Sequence, residues 1–317
     1  MILEELFVQI GVVIVVAAAL SFLFNRLRQP LIIAYILAGV LVGSHILPGT
    51  SSSEFFATLS DIGVAFLLFT VGLNLNWRHI KEIGWIALAV GVGQVVFTSA
   101  VGYGLARLLG FDLMTGLYIA VAFTFSSTII IVKLLSDKDD LDRLYGRISV
   151  GFLLVQDLIA MFVLLFLSAL GTGASLETIV TSTFGKWVAA ILGLIIFANW
   201  ILPRVTAYAA RSQELLFLFG LAWCFGVASV LSLMGFGIEI GALLAGISLA
   251  GTVWSKELAA RIRPLRDFFL VIFFVLLGSG LSFANVGTLA GPVVYFSLFI
   301  LIGNPLIVLL ILRTLGY

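Results

Sequence analysis

The chain has 317 residues, of which 62% are hydrophobic and only 10% charged, and its mean hydropathy is +1.24. No soluble domain of this length could cover so much apolar surface, so the chain is an all-α polytopic membrane protein whose first partner is the lipid bilayer. The net charge of +1 argues against a nucleic-acid partner, and the single cysteine, Cys224, cannot form an internal disulfide.

The N-terminus, Met1-Ile-Leu-Glu-Glu5, lacks the basic region of a cleavable signal peptide, so the first apolar run reads as a retained helix. Eleven apolar segments follow one another at 6–25, 30–47, 56–75, 83–109, 113–135, 143–169, 178–202, 214–233, 236–252, 264–283 and 288–314. Glycine pairs such as Gly39-Val-Leu-Val-Gly43 and Gly91-Val-Gly93 let helices approach closely, within one subunit or between two. With the N-terminus outside, only Arg107 and Lys186 of the 17 basic residues fall on the outer side. The positive-inside rule then makes the other face cytoplasmic, as at an inner or plasma membrane.

The segments repeat. Asp61 and Asp267 are 206 residues apart, and Gly72-Leu-Asn-Leu75 matches Gly278-Ser-Gly-Leu281 at the same offset. Ala38-Gly39 matches Ala245-Gly246 at 207, and Leu105-Ala-Arg-Leu-Leu-Gly-Phe111 matches Ile311-Leu-Arg-Thr-Leu-Gly-Tyr317 at 206. Spans 1 and 8 run in opposite directions, so the repeats are inverted. The whole of 1–317 reads as one transmembrane transport domain, with a first repeat at 1–169, a linker helix at 178–202 and a partial second repeat at 214–317. The second repeat stops where the first continues into spans 5 and 6. This implies eleven of an expected thirteen helices, in a truncated chain or a part of a longer one.

Asp157 sits in span 6, in the middle of Ser149–Leu170, a run with no other formal charge. A carboxylate at that depth is costly and marks an ion or proton pathway by default. Lys186, the one basic candidate read at membrane depth, lies near the opposite surface and offers no structural ion pair. Gln156 precedes Asp157. Span 5 contains Ala122-Phe-Thr-Phe-Ser-Ser-Thr128, which puts the hydroxyls of Thr124, Ser126, Ser127 and Thr128 within five residues. These residues either break the helix and offer oxygens to a cation, or bond back to the preceding turn of an unbroken helix. Asn304, in Gly303-Asn-Pro305, is a helix-kink ligand or a neutral filler near the site. No transition-metal site, cofactor or enzymatic motif such as HExxH or GxSxG is expected.

Ser126-Ser-Thr-Ile followed by Gly151-Phe-Leu-Leu-Val-Gln-Asp-Leu158 resembles the Kef branch of the monovalent cation:proton antiporters, as do Leu31-Ile-Ile-Ala-Tyr-Ile-Leu-Ala-Gly39 and Phe66-Leu-Leu-Phe-Thr-Val-Gly72. The resemblance implies an inverted-repeat sodium/proton-antiporter-like fold with discontinuous crossed helices. It implies proton and cation binding in turn at Asp157, with potassium preferred to sodium. It also implies elevator motion of helices 4–6 and 11–13 against a homodimer domain of helices 1–3 and 8–10, and a cytoplasmic nucleotide-binding regulatory domain after the C-terminus. The family's acidic loop between spans 9 and 10 corresponds to Glu257–Asp267, which is basic here. Asn304 stands where some relatives carry lysine, which points to electroneutral one-for-one exchange. Two other readings stay open: a channel-like pathway with Asp157 as selectivity residue, and a non-transporting, truncated membrane subunit.

Overall fold

A computed structural model describes residues 2–46, 50–74, 77–172, 185, 189, 192–281 and 286–316. The described elements are helices: α1 (Ile2–Arg26), α2 (Leu31–Ile46), α3 (Thr50–Asn74), α4 (Trp77–Leu108), α5 (Leu113–Ala122), α6 (Thr128–Asp137) and α7 (Leu144–Thr172). Then come α8 (Leu192–Trp200), α9 (Leu202–Ala209), α10 (Gln213–Leu233), α11 (Ile238–Leu249), α12 (Ser255–Ser279), α13 (Val286–Leu298) and α14 (Asn304–Thr314). Among the described residues, five helices are by themselves long and apolar enough to cross a membrane. Each predicted span contains helix, the seventh only where it is described; Lys186 lies outside the described residues.

The chain forms two compact units, one of residues 1–74 and 194–283, the other of 75–193 and 284–317. The first holds spans 1–3 and 8–10, and the second holds spans 4–6 and 11.

In the first unit, helices cross at glycine. A Cβ on Gly39 of α2 would lie 2.0 Å from the Val275 carbonyl oxygen of α12, and one on Gly278 would lie 2.0 Å from the carbonyl oxygen of Ile36. A Cβ on Gly72 of α3 would lie 2.4 Å from the Leu243 carbonyl oxygen, and one on Gly246 of α11 2.2 Å from that of Phe69. Only a missing side chain allows backbones so close, and in lipid this packing holds helices together. The two crossings are repeat mates, because Gly39 pairs with Gly246 and Gly72 with Gly278 at the offsets found in the sequence. Gly63 also packs on the backbone of its own mate, Phe269, so α3 and α12 meet at equivalent positions. The glycine pair of α2 therefore packs within the chain, Gly43 included, on Ser279. Phe66, Phe69, Leu73, Leu249, Leu258 and Ile262 fill the core around these crossings.

Helix starts differ from the sequence reading. Span 10 is expected to begin at 264, yet α12 begins at Ser255 and runs through Pro264. Leu258 and Ile262 are buried, and Arg261 pairs with Glu257 one turn earlier at 2.8 Å, so an amphipathic face extends the helix into what reads as a charged loop. Asp267 therefore lies inside its helix rather than at the start, as does Asp61 in α3, which begins at Thr50. Two basic residues that the charge count puts at a surface are buried. Arg266 is 4% exposed and donates to Asp267 Oδ1 at 2.9 Å and to Thr70 Oγ1, while Lys133 of α6 is buried and pairs with Asp137 at 2.8 Å.

In the second unit, α4 packs on α7 through Ile86, Val90, Ile148 and Phe152, with Val308, Ile311 and Leu312 of α14 against them. Asp112 opens α5 by accepting the backbone N–H groups of Met114 and Thr115 at 3.1 Å each. A side-chain hydrogen bond from Thr115 and these N–H groups hold its carboxyl below the usual carboxylate range.

Candidate ion-binding site

Span 5 is broken. α5 ends at Ala122, residues 123–127 are not helical, and α6 starts at Thr128. The hydroxyl residues account for this locally. Thr124 Oγ1 donates back to the Ala120 carbonyl at 2.9 Å, and Ser127, with extended backbone (φ −69°, ψ 101°), accepts from the Ile130 N–H as the cap of α6. Side chains that offer the backbone local partners end one helix and start the next.

Asp157 lies at this break. Thr128 Oγ1 donates to its two carboxylate oxygens, at 3.1 Å and 3.3 Å. Thr128 is the first residue of α6, so the carboxylate is held at a helix N-terminus, where the peptide dipoles favour negative charge. Gln156, 1% exposed, donates its Nε2 to Gln94 Oε1 on α4, and its own Oε1 is buried without a hydrogen-bond partner. Gly91 makes this meeting possible: a Cβ there would lie 2.8 Å from Val155, so α7 can come close to α4 one turn before Gln94.

The network extends along α4. Gln94 Nε2 donates to Thr98 Oγ1 at 3.2 Å and to the Thr124 carbonyl at 3.3 Å, a carbonyl left free by the break. Ser99 and Thr124 share a hydroxyl–hydroxyl bond of 2.8 Å. Thr98 Oγ1 donates to Asn304 Oδ1 at 3.0 Å. Asn304 follows a π-helical turn at Phe299–Gly303, and Pro305 gives the cause: it brings no N–H for the preceding turn and its ring crowds that turn.

Of the residues singled out in the sequence, Thr128 sits on Asp157, Gln156 and Thr124 share Gln94, and Asn304 joins them through Thr98. Ser127 is exposed and serves as the cap, and Ser126 is half-buried in the break. Gln94, Thr98 and Ser99 are absent from the sequence reading. Their signal was present: Gln94 and Thr98 are four apart in an apolar span, and Thr98 and Asn304 are 206 apart, the repeat offset. The two repeat-equivalent residues bond to each other.

The family model of the transmembrane sodium/hydrogen exchangers matches residues 11–317. The chain belongs to the sodium/hydrogen exchanger family. It is similar to the iron transporter MagA of Paramagnetospirillum magneticum, at 30% identity over 91% of this chain and 68% of that protein. It is 31% identical to the putative cation/proton antiporter YbaL of Escherichia coli over 93% of this chain and 52% of that protein. K(+) efflux antiporter 5 of Arabidopsis thaliana is 28% identical over 84% of this chain and 48% of its own length. The chain thus spans about half the length of the two antiporters and 68% of the iron transporter. The resemblance to Kef-type antiporters, drawn from the Gln156-Asp157 pair and its preceding hydroxyls, is borne out by these relatives. The fold is that of the sodium proton antiporter MjNhaP1 from Methanocaldococcus jannaschii, with a TM-score of 0.69 over 99% of this chain and 79% of that one at 16% identity.

Proposed function

We propose that this chain is the transport domain of an antiporter that exchanges a monovalent cation, potassium before sodium, for protons at Asp157. The observation that carries this reading is the Asp157 carboxylate bonded to Thr128 at the start of α6, behind a break in span 5. One carboxylate that takes a proton or a cation, but not both, couples the two fluxes one for one. Carboxylate, hydroxyl and amide oxygens from Asp157, Thr128, Gln156 and the break are hard donors of the kind alkali cations take. Relatives named as K(+) efflux antiporters favour potassium.

The residues around Asp157 come from one compact unit, 75–193 and 284–317, which supports an elevator mechanism in which this unit carries the ion. The other unit, with its glycine crossings, is the scaffold and the homodimer domain in this proposal. The basic loops and the C-terminus are cytoplasmic and the N-terminus is outside.

The test is exchange by the full-length chain in proteoliposomes. A potassium gradient is expected to drive proton movement, and Asp157→Asn to abolish it. Exchange that survives Asp157→Asn overturns the assignment. A channel-like pathway would pass current without a counter-ion, whereas the antiporter saturates at carrier rates and stops when either ion is withheld.

A further inference from the structure

Gln156 poses a question of polarity. Its Oε1 is buried, on the residue that precedes Asp157 in α7, and accepts no hydrogen bond. A buried carbonyl oxygen without a donor is costly unless something else satisfies it. An amide can turn over and exchange its oxygen for its nitrogen, so some neighbour must hold the oxygen in that place.

The holding begins at Thr124. Its backbone carbonyl can only accept, and Gln94 Nε2 is its partner at 3.3 Å. Thr98 adds a second constraint. Its hydroxyl hydrogen goes to Asn304 Oδ1, so a lone pair of Thr98 Oγ1 faces Gln94 and takes the same Nε2. Two acceptors on one side fix the Gln94 nitrogen there and turn its oxygen to Gln156. Gln156 must answer with Nε2, and its own oxygen is left pointing away from Gln94. Gln94 and Gln156 are each 1% exposed, and Thr98 and Thr124 are fully buried, so water does not compete for these bonds.

We infer that Gln94 is a positioning residue that fixes the polarity of Gln156, so that the Gln156 carbonyl oxygen rather than its amide nitrogen is offered to the cation bound at Asp157. The inference rests on the reading of Asp157 as the ion site. Its chemical content is the sign of a dipole: an oxygen attracts the cation, and an N–H group in its place repels it. The Thr124 carbonyl at the helix break sets that sign through one intermediate side chain. Asn304 steadies the same intermediate from the π-helical turn.

The experiment is a potassium chloride titration of proton exchange in proteoliposomes of the full-length chain. Gln94→Met keeps length and volume but removes both ends of the relay. The apparent KM for potassium is expected to rise about tenfold, the effect of one oriented hydrogen bond, with the maximal rate little changed. Gln156→Met is expected to raise KM as much or more, and the double variant no further than Gln156→Met alone, because Gln94 acts through Gln156. Thr98→Val, which loosens the relay without cutting it, is expected to give a smaller rise and carries the test if Gln94→Met does not fold. An unchanged KM in Gln94→Met, or additive effects in the double variant, overturns the inference. Asp157→Asn run in parallel separates the two claims: exchange in that variant sinks the ion-site reading, whereas its silence beside an unchanged Gln94→Met KM sinks only the positioning role.

Discussion

In the unit of residues 1–74 and 194–283 the helices meet backbone to backbone. Gly39 against Val275 and Gly246 against Phe69 leave no room for a Cβ. In the unit of residues 75–193 and 284–317 they meet side chain to side chain, through Gln94, Gln156, Thr98 and Asn304. Both arrangements hold helices together in lipid, but they differ in what can change. A glycine crossing has a single geometry and no titratable group. The buried amides and hydroxyls reach one end of the span-5 break at the Thr124 carbonyl, and the Asp157 carboxylate bonds to Thr128 at its other end. Close backbone packing in one unit and a polar helix break at Asp157 in the other suit the proposed scaffold and carrier, respectively.

If that contrast is right, substitutions in the first unit alter stability and those in the second alter exchange. Gly246→Leu has the largest expected effect. Its side chain would enter the Phe69 and Gly72 backbone, and a cost of about 3 kcal/mol or more is expected, read as loss of folded protein or a large fall in Tm in detergent. Arg266→Ala comes next. It strips a buried guanidinium from Thr70 and Asp267, and about 2–3 kcal/mol of destabilisation is expected in the same thermal assay. In the second unit, Thr128→Val removes the hydroxyl on Asp157 while keeping its shape. It is expected to change the apparent potassium affinity about tenfold in the exchange assay and to leave Tm within a few degrees. The smallest effect belongs to Gly11→Ala on α1. Nothing lies within 4 Å of the added Cβ, and a change within about 0.5 kcal/mol is expected. A Gly246→Leu variant of normal stability, or a Thr128→Val variant that unfolds without a change in cation affinity, would break the contrast.

Much of this was legible in the sequence, for reasons particular residues supply. Asp157 stood out because a lone carboxylate in an apolar run is expensive. The break at 123–127 was open between two readings, since Thr and Ser can bond to the backbone with or without ending a helix. Ser127 decides it by capping α6. The offset of 206 pairs Gly72 with Gly278 by identity, whereas Thr98 and Asn304, at the same offset, have different side chains and show no match. Gln94 gives no such signal, because an uncharged polar residue in an apolar helix costs little by itself. Its role lies in partners 30 and 62 residues away in the chain. Arg266 and Lys133 were assigned to a surface because charge counts locate loops, whereas their helices continue past the expected ends.

The central claim is that Asp157 binds proton and cation in turn. The most direct measurement is potassium-driven proton movement in proteoliposomes of the full-length chain, parent against Asp157→Asn, in membranes that hold equal amounts of folded protein. No exchange in Asp157→Asn, beside robust exchange in the parent, is the expected result. Exchange at parental rates in Asp157→Asn would contradict the account.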